Sequence, residues 1–424
     1  MRSTTSWAAW LSSCILIFSL LGTSIVDSKK HKGACRSTGK FRRMKKVMGY
    51  YPVYNFAIQS PKQVDYYVLF FVAVPEKNYT FSYGDRLTPQ HAEELAIEFV
   101  NLAKQHKANP LISYGGAEGS RYFSEMTSTD SRRKAFAKAL VKYAQKLGFT
   151  GMDLDWESPN SEGPGCNTHS PKDTVNLGLL LQEIRHLWPQ AQLTAAIGLS
   201  GLTGADGKPA GPSEMSAIVE NLDFVNLMAY DVYGTWANTT GPLAPIYGNC
   251  APAGWDIGIE TGLKVMNKQG FKAQQIVLGL PAYAERLQLV SPKLVPQIVN
   301  GTETLIYQKY SPIVPPGGIA DDKPGFDSCG NKRGWGGSFL TTELISNGWL
   351  SKDMKTGRNG YKRHFDKCSG TPFLTNGKFF ITYEDHQTSV RKAEWAKEHE
   401  LAGVFFFDTT GPTNFTVSAT AQVL

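Results

Sequence analysis

The chain has 424 residues, of which 42% are hydrophobic and 19% charged, and a formal net charge of +7. That composition describes a globular protein with a large core and excludes a disordered or fibrous chain. The charge is concentrated: residues 28–46 hold nine Lys and Arg and no acidic residue, while residues 47–424 carry 34 Lys and Arg against 36 Asp and Glu. A nucleic-acid binder carries its basic surface on the folded domain, so no nucleic-acid partner is expected.

The N-terminus reads as an export signal. Arg2 precedes a largely apolar stretch from Trp7 to Val26, with small residues Gly22, Thr23 and Ser24 near its end. This pattern marks residues 1–26 as a signal peptide. The alternative is an uncleaved signal anchor, because the stretch is about long enough to span a bilayer. Residues 27–43 read as a basic pro-segment or linker ending at the dibasic pair Arg42-Arg43. There are six cysteines: Cys14, Cys35, Cys166, Cys250, Cys329 and Cys368. Removal of the chain through Arg43 leaves an even four, which in an oxidising compartment form two disulfides. Four cysteines allow three pairings, and Cys166–Cys250 with Cys329–Cys368 is the expected one. Asn-x-Thr sequons at Asn78, Asn238, Asn300 and Asn414 fit glycosylated surface loops of an exported protein.

Short β-branched and aromatic runs then alternate with helical patterns. Strands are predicted at Lys46–Tyr51, Tyr66–Val74, Pro110–Tyr114, Thr150–Trp156, Gln192–Ile197, Asp223–Ala229, Gln275–Leu280 and Gly403–Phe407. Helices are predicted at Pro89–Gln105, Asp130–Lys146, Thr174–Leu187, Ser213–Glu220, Trp255–Gln269 and Thr388–Glu400. Eight strands alternating with helices over residues 44–424 predict an α/β fold, a (β/α)8 TIM barrel. The last two strands are too far apart for an ordinary βα loop. Residues of about 286–375 are therefore expected to form an insertion between strands 7 and 8.

The fourth predicted strand carries the chemistry. Asp153, Asp155 and Glu157 occupy every second position, and Met152, Leu154 and Trp156 fill the alternate ones. Side chains two apart in a strand share a face, so three carboxylates line up on one side. Like charges so close raise at least one pKa, and a carboxylic acid that stays protonated near neutrality can donate its proton. A solvated strand face is the plain alternative. A calcium site needs Gly and oxygen-rich turn residues that this run lacks. Glu157 falls at the C-terminal end of its strand, where barrel active sites sit.

Four motifs on successive predicted strands resemble glycoside hydrolase family 18, the chitinases, and in particular secreted fungal members. They are Ser113-Tyr114-Gly115-Gly116, the run from Thr150 to Glu157, Met228-Ala229-Tyr230-Asp231, and Leu278 to Tyr283. The resemblance spans residues of about 46 to 412 and implies hydrolysis of the β-1,4 bonds of chitin with retention. In this family the substrate replaces the usual carboxylate nucleophile. It implies that Glu157 is the general acid and then the base, while the substrate's acetamido oxygen attacks the anomeric carbon. Asp155 would hold the acetamide N–H, Asp153 would share a proton with Asp155, and Tyr230 would hydrogen-bond the acetamide carbonyl. Met228, Asp231, Tyr50, Tyr283, Phe407, Gly115 and Gly116 are the expected substrate-binding positions, with core packing the alternative for Met228. Ser113 is expected to be a structural hydrogen-bonder.

Two residues depart from the family pattern. Thr150 stands for the first Asp of the long motif, and Phe407 stands where many relatives carry a Trp. The implied partners are chitin or chito-oligosaccharides, met outside the cell or in its wall. No cofactor or metal is implied, no stable membrane association once the signal is cleaved, and a monomer is expected. The competing functions are a chitin-binding lectin of chitinase shape and an endo-β-N-acetylglucosaminidase acting on N-glycans.

Overall fold

The computed structural model describes residues 47–52, 66–83 and 87–424, with only the backbone described for 66–72. The expected signal peptide or anchor at 1–26 and the basic segment at 27–43, with its dibasic site, lie outside the described residues. Eight parallel strands build the frame: β1 (Val47–Tyr51), β2 (Tyr66–Pro75), β3 (Asn109–Gly115), β4 (Gly151–Asp155), β5 (Gln192–Gly198), β6 (Phe224–Met228), β7 (Ile276–Pro281) and β8 (Gly403–Phe407). Each pairs with the next, and β1 pairs with both β2 and β8, so the sheet closes into a barrel.

Strands buried on both faces read as apolar runs, and all six residues of β7, Ile276 to Pro281, are buried. The helices shield the barrel's outer face. In α1 (Pro89–Gln105), the Thr88 side chain accepts the His91 N–H at 3.3 Å, with Pro at the start of the first turn. This is the residue chemistry that starts a helix. Its buried stripe, Ala92, Ala96, Phe99, Val100 and Ala103, follows the helical period. Thr129 caps α2 (Asp130–Lys146) in the same way through the Arg132 N–H. The remaining barrel helices are α3 (Asp173–Leu187), α4 (Pro212–Asn221), α5 (Ile259–Lys268) and α6 (His386–Glu398).

Between β7 and β8 the chain builds a five-stranded antiparallel sheet, ordered Ser338–Leu340, Tyr283–Gln288, Phe379–Tyr383, Thr371–Thr375 and Lys362–Asp366. It has its own core of Ala284, Phe339, Leu344, Leu350, Met354, Tyr361, Leu374, Ile381 and Tyr383. The sheet begins at Tyr283, two residues past β7, so the barrel wall runs almost directly into it.

The expected disulfide pairing is wrong. Cys166 bonds Cys329 and Cys250 bonds Cys368, with Cα–Cα distances of 5.5 and 6.0 Å. Disulfides need Cα atoms within about 4.4–6.8 Å. The fold meets that need by bringing the loop after β4 and the loop after β6 each to a different part of the insertion.

Candidate active site

Parallel register sets the floor of the site. Ser113 on β3, Asp153 on β4 and Thr194 on β5 stand on one rung. The Asp153 carboxylate, fully buried, takes four hydrogen bonds. Ser113 Oγ (2.7 Å) and Tyr50 OH (3.0 Å) donate to Oδ2, and Thr194 Oγ1 (2.5 Å) and Asn226 Nδ2 (3.1 Å) donate to Oδ1. Burial raises its pKa, and those four donors pull it back down. Tyr50 is 2% exposed and packs with Met48, Leu111 and Phe405. Its hydroxyl supports the carboxylate row, and its ring lies 5.7 Å from that of Phe407.

Asp155 lies two residues toward the mouth and is differently placed. It is 8% exposed and its Oδ1, though buried, has no partner. Its pKa is held well above the usual carboxylate range, first by burial, then by Glu157 and Asp153. Gly115 and Gly116 adjoin it, with φ of 114° and 97°. A Cβ on Gly115 would sit 2.2 Å from the Asp155 carbonyl oxygen, and the Gly116 N–H donates to that oxygen at 2.8 Å. Only glycine allows both the close approach and the backbone shape.

Glu157 is anchored through its backbone: its N–H donates to Ser120 Oγ (3.0 Å) and its carbonyl accepts from Asn167 Nδ2 (2.6 Å). Its pKa is pushed up to about 7, first by burial and then by the charge of Asp231. The loop that follows is tied down by Asp173, which accepts the N–H groups of Asn160 (3.3 Å) and Ser170 (2.7 Å) and the Ser124 hydroxyl (2.7 Å). Trp156 faces away and packs against Phe123.

The opposite wall comes from β6 to β8. Met228 and Tyr230 are half-buried at the end of β6. Asp231 has φ 56° and accepts a short hydrogen bond from Tyr283 OH. Although the residue is exposed, the protein crowding its carboxyl raises its pKa, against the pull of that bond. Phe407 is half-buried among aromatic rings, with Tyr230 stacked at 5.8 Å, Tyr50 at 5.7 Å and Tyr283 at 6.4 Å.

Four residues outside the sequence reading also belong here. Thr194 and Asn226 complete the Asp153 shell; the only sequence signal was a polar residue inside an apolar strand. Glu285 follows Tyr283 by two residues in the insertion sheet. Burial pushes its pKa up to about 8 against a Ser338 hydrogen bond, and Asp231 adds to the rise. Trp236 is 58% exposed, five residues beyond Asp231. Its loop is clamped by Tyr310 OH, which donates to the carbonyls of Thr235 (3.0 Å) and Ala237 (2.5 Å). Thr150 lies at the far end of β4, its hydroxyl bonded to the Pro110 carbonyl at 3.0 Å, away from this chemistry. Among the described residues no group of three or more His, Cys, Asp and Glu could hold a metal ion.

A closed β/α barrel with a carboxylate row at its C-terminal mouth and an antiparallel insertion after β7 defines a glycoside-hydrolase architecture. Residues 46–411 match the glycosyl hydrolases family 18 profile, and the chain belongs to that family. It is 33% identical over 320 residues to a chitinase-like effector of Moniliophthora roreri, covering 74% of this chain and 76% of that one. It is 30% identical over 340 residues to chitinase A1 of Niallia circulans, covering 76% of this chain and 43% of that one. Among solved structures, the chitinase RmChi1 of Rhizomucor miehei superposes with a TM-score of 0.76 at 23% identity, covering 89% of this chain and 99% of that one.

Proposed function

We propose that the protein is an exported chitinase that cleaves β-1,4 bonds between N-acetylglucosamine units with substrate assistance and retention. The observation that carries this is the graded carboxylate row. Asp153 is fully satisfied, Asp155 has a buried oxygen without a partner, and Glu157 is a carboxylic acid poised near neutrality. Glu157 protonates the leaving oxygen and later activates water. Asp155 takes the acetamide N–H on its open oxygen and steadies the cationic centre that forms when the acetamido oxygen closes onto the anomeric carbon. Asp153 shares a proton with Asp155, so that Asp155 can carry the negative charge when the cation forms. Tyr230 steers the acetamide carbonyl. Phe407 and Tyr230 floor the reacting sugar, Met228 and Asp231 flank it, and Trp236 gives the next unit an open face.

Residues 1–26 act as the export signal and 27–43 as a removable basic segment, which leaves the two disulfides in an oxidising setting. The test is mass spectrometry of chitohexaose incubated with the secreted protein and with Glu157→Gln. Shorter oligomers from the native protein alone support the reading. A second reading, a chitin-binding protein without turnover, is favoured by the name of the chitinase-like effector relative. Binding without cleavage by the native protein would establish it, once release of glycans from a glycoprotein had been tested and excluded.

A further inference from the structure

One long excursion of the insertion closes on itself just before Ser338–Leu340. Its feet are pinned together. Gly318 N–H donates to Ser338 O at 2.7 Å, and the Asp321 carboxylate accepts the N–H groups of Gly317 (2.6 Å) and Ser338 (2.9 Å). Gly336 N–H donates to Asp322 O at 3.2 Å. Beyond that point Gly325–Phe326 and Lys332–Arg333 pair antiparallel around a turn that holds Cys329. The feet stand on the β7 side of the mouth, for Ser338 pairs with Glu285 on the strand that carries Tyr283.

The tip is fastened on other loops. Cys329 is bonded to Cys166, on the loop after β4. Arg333 Nη1 lies 3.5 Å from Glu118 Oε1, on the loop after β3, and 3.3 Å from Asp322. These two loops form one wall, since a Cβ on Gly165 would fall 2.8 Å from the Ala117 carbonyl oxygen. In a closed ring of eight strands, β3 stands opposite β7 and β4 opposite β8. An arm rooted beside β7 and fastened on the β3 and β4 loops crosses the mouth that holds Asp155, Glu157 and Asp231. Asp322 at the foot and Glu118 on the far wall share the one Arg333 guanidinium, so the gap that the arm bridges is short. Two-residue strands with an exposed Phe326 do not hold a hairpin in place by themselves; the disulfide does, and the exposed Arg333 bridge adds little.

We propose that this arm is a strap closed across the cleft, which makes the cleft a passage that a chitin chain enters by its end. The protein then works from chain ends and retains its chain between cleavages. The substrate named here rests on the chitinase reading; the strap itself does not.

The test compares the native protein with a variant in which residues 323–335 are replaced by Gly-Gly and Cys166 by Ser. The join is short because Asp322 and Gly336 are already hydrogen-bonded. A second variant, Cys166→Ser with Cys329→Ser, keeps the arm but unfastens it. Either variant that folds can be read alone. The readout is viscosity lost per reducing end released from soluble glycol chitin. A strap predicts little viscosity loss with the native protein and a several-fold greater loss per bond with the strapless variant. An equal and steep loss in both overturns it. If neither protein cleaves glycol chitin or chitohexaose, the chitinase reading fails, and the strap is judged by release of bound chitohexaose. Several-fold faster release from the strapless variant supports it, and equal rates overturn it.

Discussion

The carboxylate row on and after β4 is built by one two-residue repeat, and its two ends are treated in opposite ways. At the inner end, Asp153 is enclosed by side chains from β1, β3, β5 and β6, and both its oxygens are taken. At the outer end, Asp155 keeps a buried oxygen without a partner, and Glu157 is anchored only through its main chain among the bonds that hold it. A buried polar atom without a partner costs free energy. A fold keeps such an atom where a ligand can supply the missing donor. In the proposed mechanism the inner carboxylate sets position and the outer pair reacts.

The largest break in that contrast is Glu157→Gln. Loss of a positioned acid and base is expected to cut turnover by about 10²–10⁴-fold while chitohexaose binding, followed by intrinsic fluorescence, is retained. Full activity would remove Glu157 from its role. Asp155→Asn follows, with an expected loss of about 10²-fold in turnover; an unchanged rate would dismiss substrate assistance.

The pH dependence sharpens the same contrast. Glu157 must begin protonated, so the rate should fall as pH rises through about 7. A rate still climbing at pH 9 would contradict the assignment. The stability effect has a definite sign. The folded-state pKa is above the unfolded value of about 4.3, so the native state binds the extra proton, and stability declines as pH rises from about 4 to about 7. Glu157→Gln should therefore melt a few degrees above the native protein at pH 8 and level with it at pH 4, by calorimetry.

Smaller effects test the inner end. Asn226→Ala removes one donor from Asp153, and chemical denaturation should show a loss of about 1–3 kcal/mol. Thr150→Asp, which restores the family residue at an exposed position on the far side of β4, should change stability by no more than about 0.5 kcal/mol and leave turnover unaltered.

Much of this was readable in the chain. The strand–helix alternation and the residues that start α1 and α2 are local signals, and the fold follows them within a residue or two at most boundaries. Asp153, Asp155 and Glu157 share a face because the period of a strand is two. The partners of Asp153 were not readable. Thr194 and Asn226 are single polar residues in apolar strands, and only parallel register puts them beside Asp153. Tyr50 shows the same limit: its sequence position fits the site, but only the fold shows that its hydroxyl donates to Asp153.

The sequence by itself therefore determined the barrel, the carboxylate row and the family, because each is written in short-range periodicity or in motifs of a few residues. The tertiary structure alone decided which cysteines pair, which donors hold Asp153 and where the arm around Cys329 is fastened. Those contacts join residues as far apart as 163 and 215 positions in the chain. Distance along a sequence carries no information about which loops a closed barrel brings face to face.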